Sequence, residues 1–270
     1  MTAVGKLVRD VRDTVEIRGD LTFRRLAASY RFPDGSQRVY CHHVRKTAGT
    51  SLYLSFLALG GEDPIEVWRR IARSRLHRTV SGNLAFASNH RTVLAEGAYF
   101  FGRSHRAAGA QPLPPSTFTV TVLRDPAARA HSYFDYLVAG DDPSTPGRVG
   151  AQERRIAADG FDAFLDRVPR RDLLNQLATF SEQFDISEAV DRIAACSSVF
   201  FTEDYAQGLK DLAGRLDVRL QLHRSRVTGS RSELTEAQAV RLRDLLEPEY
   251  ELLWRLEAAG VARKRSSGTK

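Results

Sequence analysis

Three times along the chain, a short run of β-branched and aromatic residues gives way to apolar residues at helical spacing. Residues 38–44 (RVYCHHV) predict a strand, followed by Gly and Thr/Ser residues and then by an apolar stretch of helical character, Leu52 to Leu59. Thr117 to Leu123 (TFTVTVL) predicts a second strand, leading through Asp125-Pro126 into a helix from Ala127 to Leu137. Asp as N-cap with Pro at the first helical position is a helix start with a mechanism, because the side chain accepts a free backbone N–H and proline has none to lose. Ser197 to Thr202 (SSVFFT) predicts a third strand, and Tyr205, Leu209, Leu212 and Leu216 recur at helical spacing within Glu203 to Leu216. Three strand-then-helix units imply an α/β fold with a central, mostly parallel sheet flanked by helices, in which ligands bind beyond the C-terminal ends of the strands.

The remaining segments fill in around these units. A Pro/Gly-rich loop runs from Asp141 to Gly150, and helical segments cover about 151 to 192. Thr235 to Gln238 (TEAQ) has the capping-box pattern and opens a helix that runs to Leu246, where Glu247-Pro248 breaks it before Tyr250 to Ala259. No internal repeat or low-complexity block is present. The expected organisation is an N-terminal helical or extended segment over 1–36, one domain over 37–260, and a disordered basic tail over 261–270.

Composition narrows this only slightly. A chain of 270 residues, 42% hydrophobic and 27% charged, can bury a full core. The formal charge of +7 favours anionic partners of many kinds. Of the 40 basic residues only five are Lys (6, 46, 210, 264 and 270), a bias that high-GC coding alone produces. Cys41 and Cys196 are too few for a disulfide framework and form no CxxC pair, which fits a reduced compartment. The N-terminus mixes charged and apolar residues, and no later run approaches 18 apolar residues, so a soluble, cytoplasmic protein is expected, with no membrane partner.

Two segments carry candidate chemistry. His43-Val44-Arg45-Lys46-Thr47-Ala48-Gly49-Thr50-Ser51 places a cation, a glycine and three hydroxyls at a strand-to-helix turn. Helix N-terminal amides bind anions, Gly49 permits close approach, and Lys46 can meet charge developing on a leaving oxygen. This is not a Walker A loop, because Lys46 precedes the only glycine instead of following a second one. Downstream, Leu123-Arg124-Asp125-Pro126 begins a second turn, where Arg124 can pair with a phosphate and Ser132, about two turns into the helix, adds a hydroxyl.

Together and in this order, the two segments resemble the donor site of sulfotransferases that use 3′-phosphoadenosine-5′-phosphosulfate (PAPS). The first is similar to the 5′-phosphosulfate loop of the carbohydrate branch, H-x-P-K-T-[AG]-[GS]-T-S, with Arg45 where that branch has proline. The second is similar to the 3′-phosphate motif L-R-[DN]-P-x-x-R-x-x-S-x-Y. The resemblance implies a single P-loop-like domain, PAPS as co-substrate with 3′,5′-ADP as product, no metal, and residues 45–51, Arg124 and Ser132 as donor-binding residues. It further implies a histidine base between the motifs. His105 fits, in Ser104-His105-Arg106-Ala107-Ala108-Gly109, with Ser104 where the family has glycine. His42, His43 and His90 are its competitors, while His131 is expected to pack within its helix.

Phe200 to Tyr205 looks like the family's Thr-Glu turn, and Leu222 to Arg231 like its basic closing loop, with Arg226 as a donor-binding candidate. Asn175 resembles an asparagine on the acceptor side, although an ordinary polar helix residue reads the same way. The helices over 151–192 are placed on that side too. Tyr133, Phe134 and Tyr136 are at a spacing that packs into core or stacks on a ligand ring. The acceptor implied is a carbohydrate or small molecule, in a bacterial cytoplasmic setting, with no nucleic acid partner. Two rivals remain: a P-loop-like small-molecule kinase, which the loop fits poorly, and a basic module for nucleic acid or another anionic polymer, motivated by the Arg runs.

Overall fold

The computed structural model describes residues 21–139, 151–223 and 232–261. Residues 1–20, 140–150, 224–231 (with the donor-binding candidate Arg226) and 262–270 lie outside them. Residues 21–27 are helical. The chain then forms β1 (Arg38–His42), α1 (Gly49–Leu57), α2 (Pro64–Arg73), β2 (Arg78–Ser81), β3 (Leu84–Ser88), α3 (Arg91–Glu96), β4 (Phe101–Ser104), β5 (Thr117–Leu123) and α4 (Pro126–Ala139). Five short helices follow, α5 (Ala151–Ala157), α6 (Phe161–Arg167), α7 (Arg170–Leu173), α8 (Asn175–Phe180) and α9 (Ile186–Ala194). β6 (Ser198–Phe201), α10 (Tyr205–Leu216), α11 (Glu236–Leu245) and α12 (Glu247–Ala258) complete it.

The six strands make one sheet in the order β2-β3-β4-β1-β5-β6. Only the β2–β3 pair is antiparallel. The sheet is therefore mostly parallel, as the alternation of strands and helices requires. Central β1, with Tyr40 opposite both Gly102 and Thr119, is buried along its whole length, as a strand covered on both faces must be.

Successive strand residues go to opposite faces. Val39, Cys41, Phe86, Phe101, Val120 and Phe200 pack with Leu52, Phe56, Trp68 and Leu212 from α1, α2 and α10. On the other face, Tyr40, Ala85 and Ala87 meet Phe23, Ala27 and Leu94, so the described part of the N-terminal segment belongs to the same core. The third cluster joins α4 to the later helices through Tyr133, Phe164, Phe180, Ile193, Leu242 and Leu256, with Leu123 and Val44 at the strand ends. Tyr133 and Phe134 are thus core residues.

Several boundaries differ from the sequence reading. β1 stops at His42, and α1 begins at Gly49 rather than Leu52. Thr202–Asp204 forms a 3-10 turn before α10. The helix after Glu247-Pro248 starts at Glu247 itself, since a proline in the first turn forfeits no hydrogen bond. The capping box forms as expected, with Thr235 and Gln238 exchanging bonds. Among the described residues no helix is long and apolar enough to cross a membrane.

The topology also locates a site. From β1 the chain leaves through α1 and α2 to the β2 edge, whereas from β5 it leaves toward β6 at the opposite edge. Adjacent β1 and β5 therefore diverge, and the crevice beyond their C-terminal ends is a topological switch point. Residues 43–48 and Arg124 stand there.

Candidate active site

The loop after β1 is held in a costly conformation. Lys46 (φ 67°) and Ala48 (φ 60°, ψ 12°) are both left-handed, a region that non-glycine residues rarely occupy. The Thr47 hydroxyl donates to the Val44 carbonyl at 3.0 Å and so braces the turn from within. Ala48 is the N-cap of α1 and offers no side-chain acceptor. Gly49, Thr50 and Ser51 thus open a nine-residue helix whose N-terminal end carries no side-chain cap and no acidic residue in its first turn. Gly49 is required by space: a Cβ there would lie 2.0 Å from Cδ2 of His43.

Arg45 departs from the expected role. Its guanidinium turns to Glu153, with Nη1 to Oε1 at 3.0 Å, and to Asp172 at 3.7 Å. Two carboxylates neutralise it, so its side chain ties the loop to α5 and α7. Its backbone N–H donates to Asn175 Oδ1 at 2.8 Å. Asn175, which the sequence left open between an acceptor-side asparagine and an ordinary polar helix residue, is a buried anchor of the loop.

Arg124 follows β5 and reaches across the switch point, its Nη1 donating to the Lys46 carbonyl at 3.2 Å. Its own backbone is clamped by Gln176, whose Oε1 accepts from Arg124 N at 2.8 Å while Nε2 donates to Arg124 O at 3.0 Å. The Thr-Glu turn grips the same segment: Thr202 Oγ1 donates to Leu123 O at 3.0 Å, and Glu203 accepts from Asp125 N at 3.0 Å. Asp125 in turn caps α4, accepting from Ala128 N at 2.9 Å. Ser132 is half-buried, one turn before Tyr136 on the same face of α4. Lys46 Nζ sits 4.4 Å from the centroid of the Tyr136 ring, so Lys46, Arg124 and Ser132 approach one crevice. Arg129, within the second motif, is fully buried and bonds to Glu249, Asp172 O and Leu173 O; it is structural.

The histidines separate clearly. His105 is exposed just past β4, and its Nδ1 donates to the His43 carbonyl at 2.8 Å. A carbonyl only accepts, so Nδ1 carries a proton, which leaves Nε2 as the acceptor nitrogen of the ring in its neutral form. The His43 ring packs against it, tilted by 32°, at 4.2 Å between centroids. His43 Nδ1 accepts from the buried Arg103 at 2.8 Å, which commits that ring to a supporting role. Ser104 is fully buried; its hydroxyl pairs with Tyr40 OH at 2.6 Å and accepts from Arg106 N at 3.2 Å. That pair of bonds fixes the turn bearing His105.

His42 is buried, and desolvation pushes its pKa down to about 4. His90 caps α3 through Nδ1, accepting from Val93 N at 3.3 Å. His131 Nε2 is 2.8 Å from Ser232 Oγ, which lies 2.7 Å from Asp135 Oδ1. This is not a nucleophile relay, because the carboxylate approaches the serine and the same Nε2 rather than Nδ1.

Burial drives both thiols up, to about 12, so neither Cys41 nor Cys196 is a thiolate near neutrality. Among the described residues no three His, Cys, Asp or Glu side chains are grouped to hold a metal ion. Gln176, Glu203, Arg103 and Glu249 all support the site, and all but Glu203 were missed from the sequence. Only the Thr-Glu pattern pointed toward one of them. No protein-family model matches the chain, and no curated protein matches it.

Proposed function

We propose that the chain is a PAPS-dependent sulfotransferase, moving a sulfuryl group to a hydroxyl of a carbohydrate or small-molecule acceptor and releasing 3′,5′-ADP. The observation that carries this reading is the 3.2 Å bond from Arg124 to the Lys46 carbonyl, which sets two anion-binding segments side by side at the switch point. A nucleotide with two separate phosphate ends needs two such segments; a triphosphate chain needs one continuous cradle.

PAPS supplies the activated sulfuryl group. His105 Nε2 takes the acceptor hydroxyl's proton while the acceptor oxygen bonds to sulfur and the sulfur–oxygen bond to the 5′-phosphate breaks. Lys46 and the first-turn amides of α1 offset the charge gathering on the departing oxygen. Arg124 and Ser132 hold the 3′-phosphate, and the supporting bonds to His43, Gln176 and Glu203 keep these groups in register.

The test begins with a thermal-shift titration. Stabilisation by 3′,5′-ADP but not by 5′-AMP or ATP is expected, amounting to about 2.7 kcal/mol at a hundredfold excess over Kd. Equal responses to all three overturn the reading. Response to ATP with phosphate transfer identifies a kinase, and salt-sensitive DNA binding without a 3′,5′-ADP response identifies an anionic-polymer module. With acceptor in hand, His105→Ala lowers kcat by roughly 10²- to 10⁴-fold. Lys46→Ala loses turnover while remaining folded, and Arg124→Ala chiefly raises the KM for PAPS.

A further inference from the structure

We infer that the dipeptide Asn175-Gln176 is a spacer that fixes the separation of the two anion-binding segments, and so sets selectivity for a nucleotide bearing two separate phosphates. The inference rests on the proposed donor site and adds to it the residues that tune its specificity.

Asn175 Oδ1 holds Arg45 N at 2.8 Å, at the start of the Lys46 loop. The next residue, Gln176, holds both Arg124 N at 2.8 Å and Arg124 O at 3.0 Å, at the start of the other segment. Neighbouring Cα atoms are about 3.8 Å apart across a trans peptide, so one rigid link spans from loop to loop. The orientation of the Gln176 amide follows from its partners. Nε2 faces two acceptors, Arg124 O and Glu249 Oε2 at 3.2 Å, and Oε1 faces a donor, so a flipped amide would set oxygen against two oxygens.

The link is anchored in the interior. Gln176 and Glu249 are both 0% exposed. Glu249 Oε1 accepts from Gln176 N at 2.6 Å and from Leu177 N at 3.3 Å, while Oε2 pairs with Arg129. Neither side chain of the pair is placed to make the chemistry; both act through the backbones of Arg45 and Arg124 and are positioning residues. A ligand with one phosphate engages one segment and is indifferent to their spacing. A ligand with two phosphates at a fixed separation is sensitive to it, because a shift of one segment misaligns one of its two sets of charge-assisted hydrogen bonds.

The experiment is calorimetric titration of 3′,5′-ADP and 5′-AMP into the wild type, Asn175→Leu and Thr179→Val. Thr179 serves as a control on the same helix: its hydroxyl bonds Asn175 O at 2.6 Å and, among the described residues, makes no hydrogen bond to either segment. Asn175→Leu is expected to weaken 3′,5′-ADP about tenfold, the worth of one such bond, with 5′-AMP nearly unchanged. Thr179→Val is expected to lower stability while keeping the wild-type ratio. If Asn175→Leu does not fold, Asn175→Ser, which is polar but too short to reach Arg45 N, is read the same way. An unchanged ratio in the folded Asn175 variant, or an equal fall in Thr179→Val, overturns the spacer while leaving the donor site standing. A wild type that does not distinguish the two nucleotides overturns the donor site, and the spacer with it.

Discussion

Ala48 and Gly49 occupy neighbouring positions with opposite demands. Ala48 has the left-handed backbone that glycine would adopt without strain, whereas Gly49 is helical and lacks room for a Cβ. Gly49→Ala would drive a methyl group into the His43 ring, whose carbonyl holds His105 and whose Nδ1 holds Arg103. Overpacking of this kind costs about 1–3 kcal/mol. The variant should therefore show a lower denaturant midpoint together with loss of turnover. Ala48→Gly should instead raise the midpoint, by about 1 kcal/mol in stability, since it relieves the left-handed strain. A glycine needed for close approach was legible in the sequence. What it approaches was not, because His43 reaches it only when the loop folds back on itself.

At the scale of elements, what was legible followed from local signals. β5 is seven residues long and rich in β-branched side chains, and Asp125-Pro126 marks the start of α4 with no need of tertiary context. The same logic applies to Asp63-Pro64, where Asp63 accepts from Ile65 N at 3.0 Å, yet the arginines of α2 masked the helix as a basic run. β2, β3 and β4, four or five residues each, alternate too weakly to be read alone, and Phe101–Ser104 contains a glycine and an arginine that owe their places to neighbours. Least legible was the bond between α4 and α12, where Arg129 and Glu249 meet at 3.4 Å with no exposure. Nothing short of the fold brings residues 129 and 249 together. Glu249→Leu strands a buried guanidinium and opens the cap of α8, so a loss of about 3–5 kcal/mol is expected. Adding Arg129→Leu should recover much of it, and a double-mutant cycle by urea denaturation measures the coupling. Additive losses would mean that the pair does not interact.

For the whole molecule, strand-then-helix alternation implied the α/β architecture and pointed to the end of the sheet where such folds bind ligands. It could not order the strands, and that order, with β1 between β4 and β5, is what gathers Lys46, His105 and Arg124 at one switch point. The same end of the sheet carries a liability. His42 closes β1 inside the core, packed against Tyr40 at 4.9 Å and Phe180 at 5.4 Å between ring centroids, and its Nδ1 has no hydrogen-bond partner. Its folded pKa of about 4 lies below the ordinary 6.5, so the unfolded chain binds a proton that the folded chain refuses. The stability this neutral ring permits is whole above pH 6.5 and is lost as pH falls toward 4. At pH 5 the deficit is about 2 kcal/mol relative to neutral pH, from one group alone. His42→Phe keeps a ring in the same place without a titrating nitrogen. Urea unfolding at pH 7 and pH 5 should therefore show the wild type losing that much more than the variant. Parallel losses in the two proteins would place the acid sensitivity of the fold elsewhere.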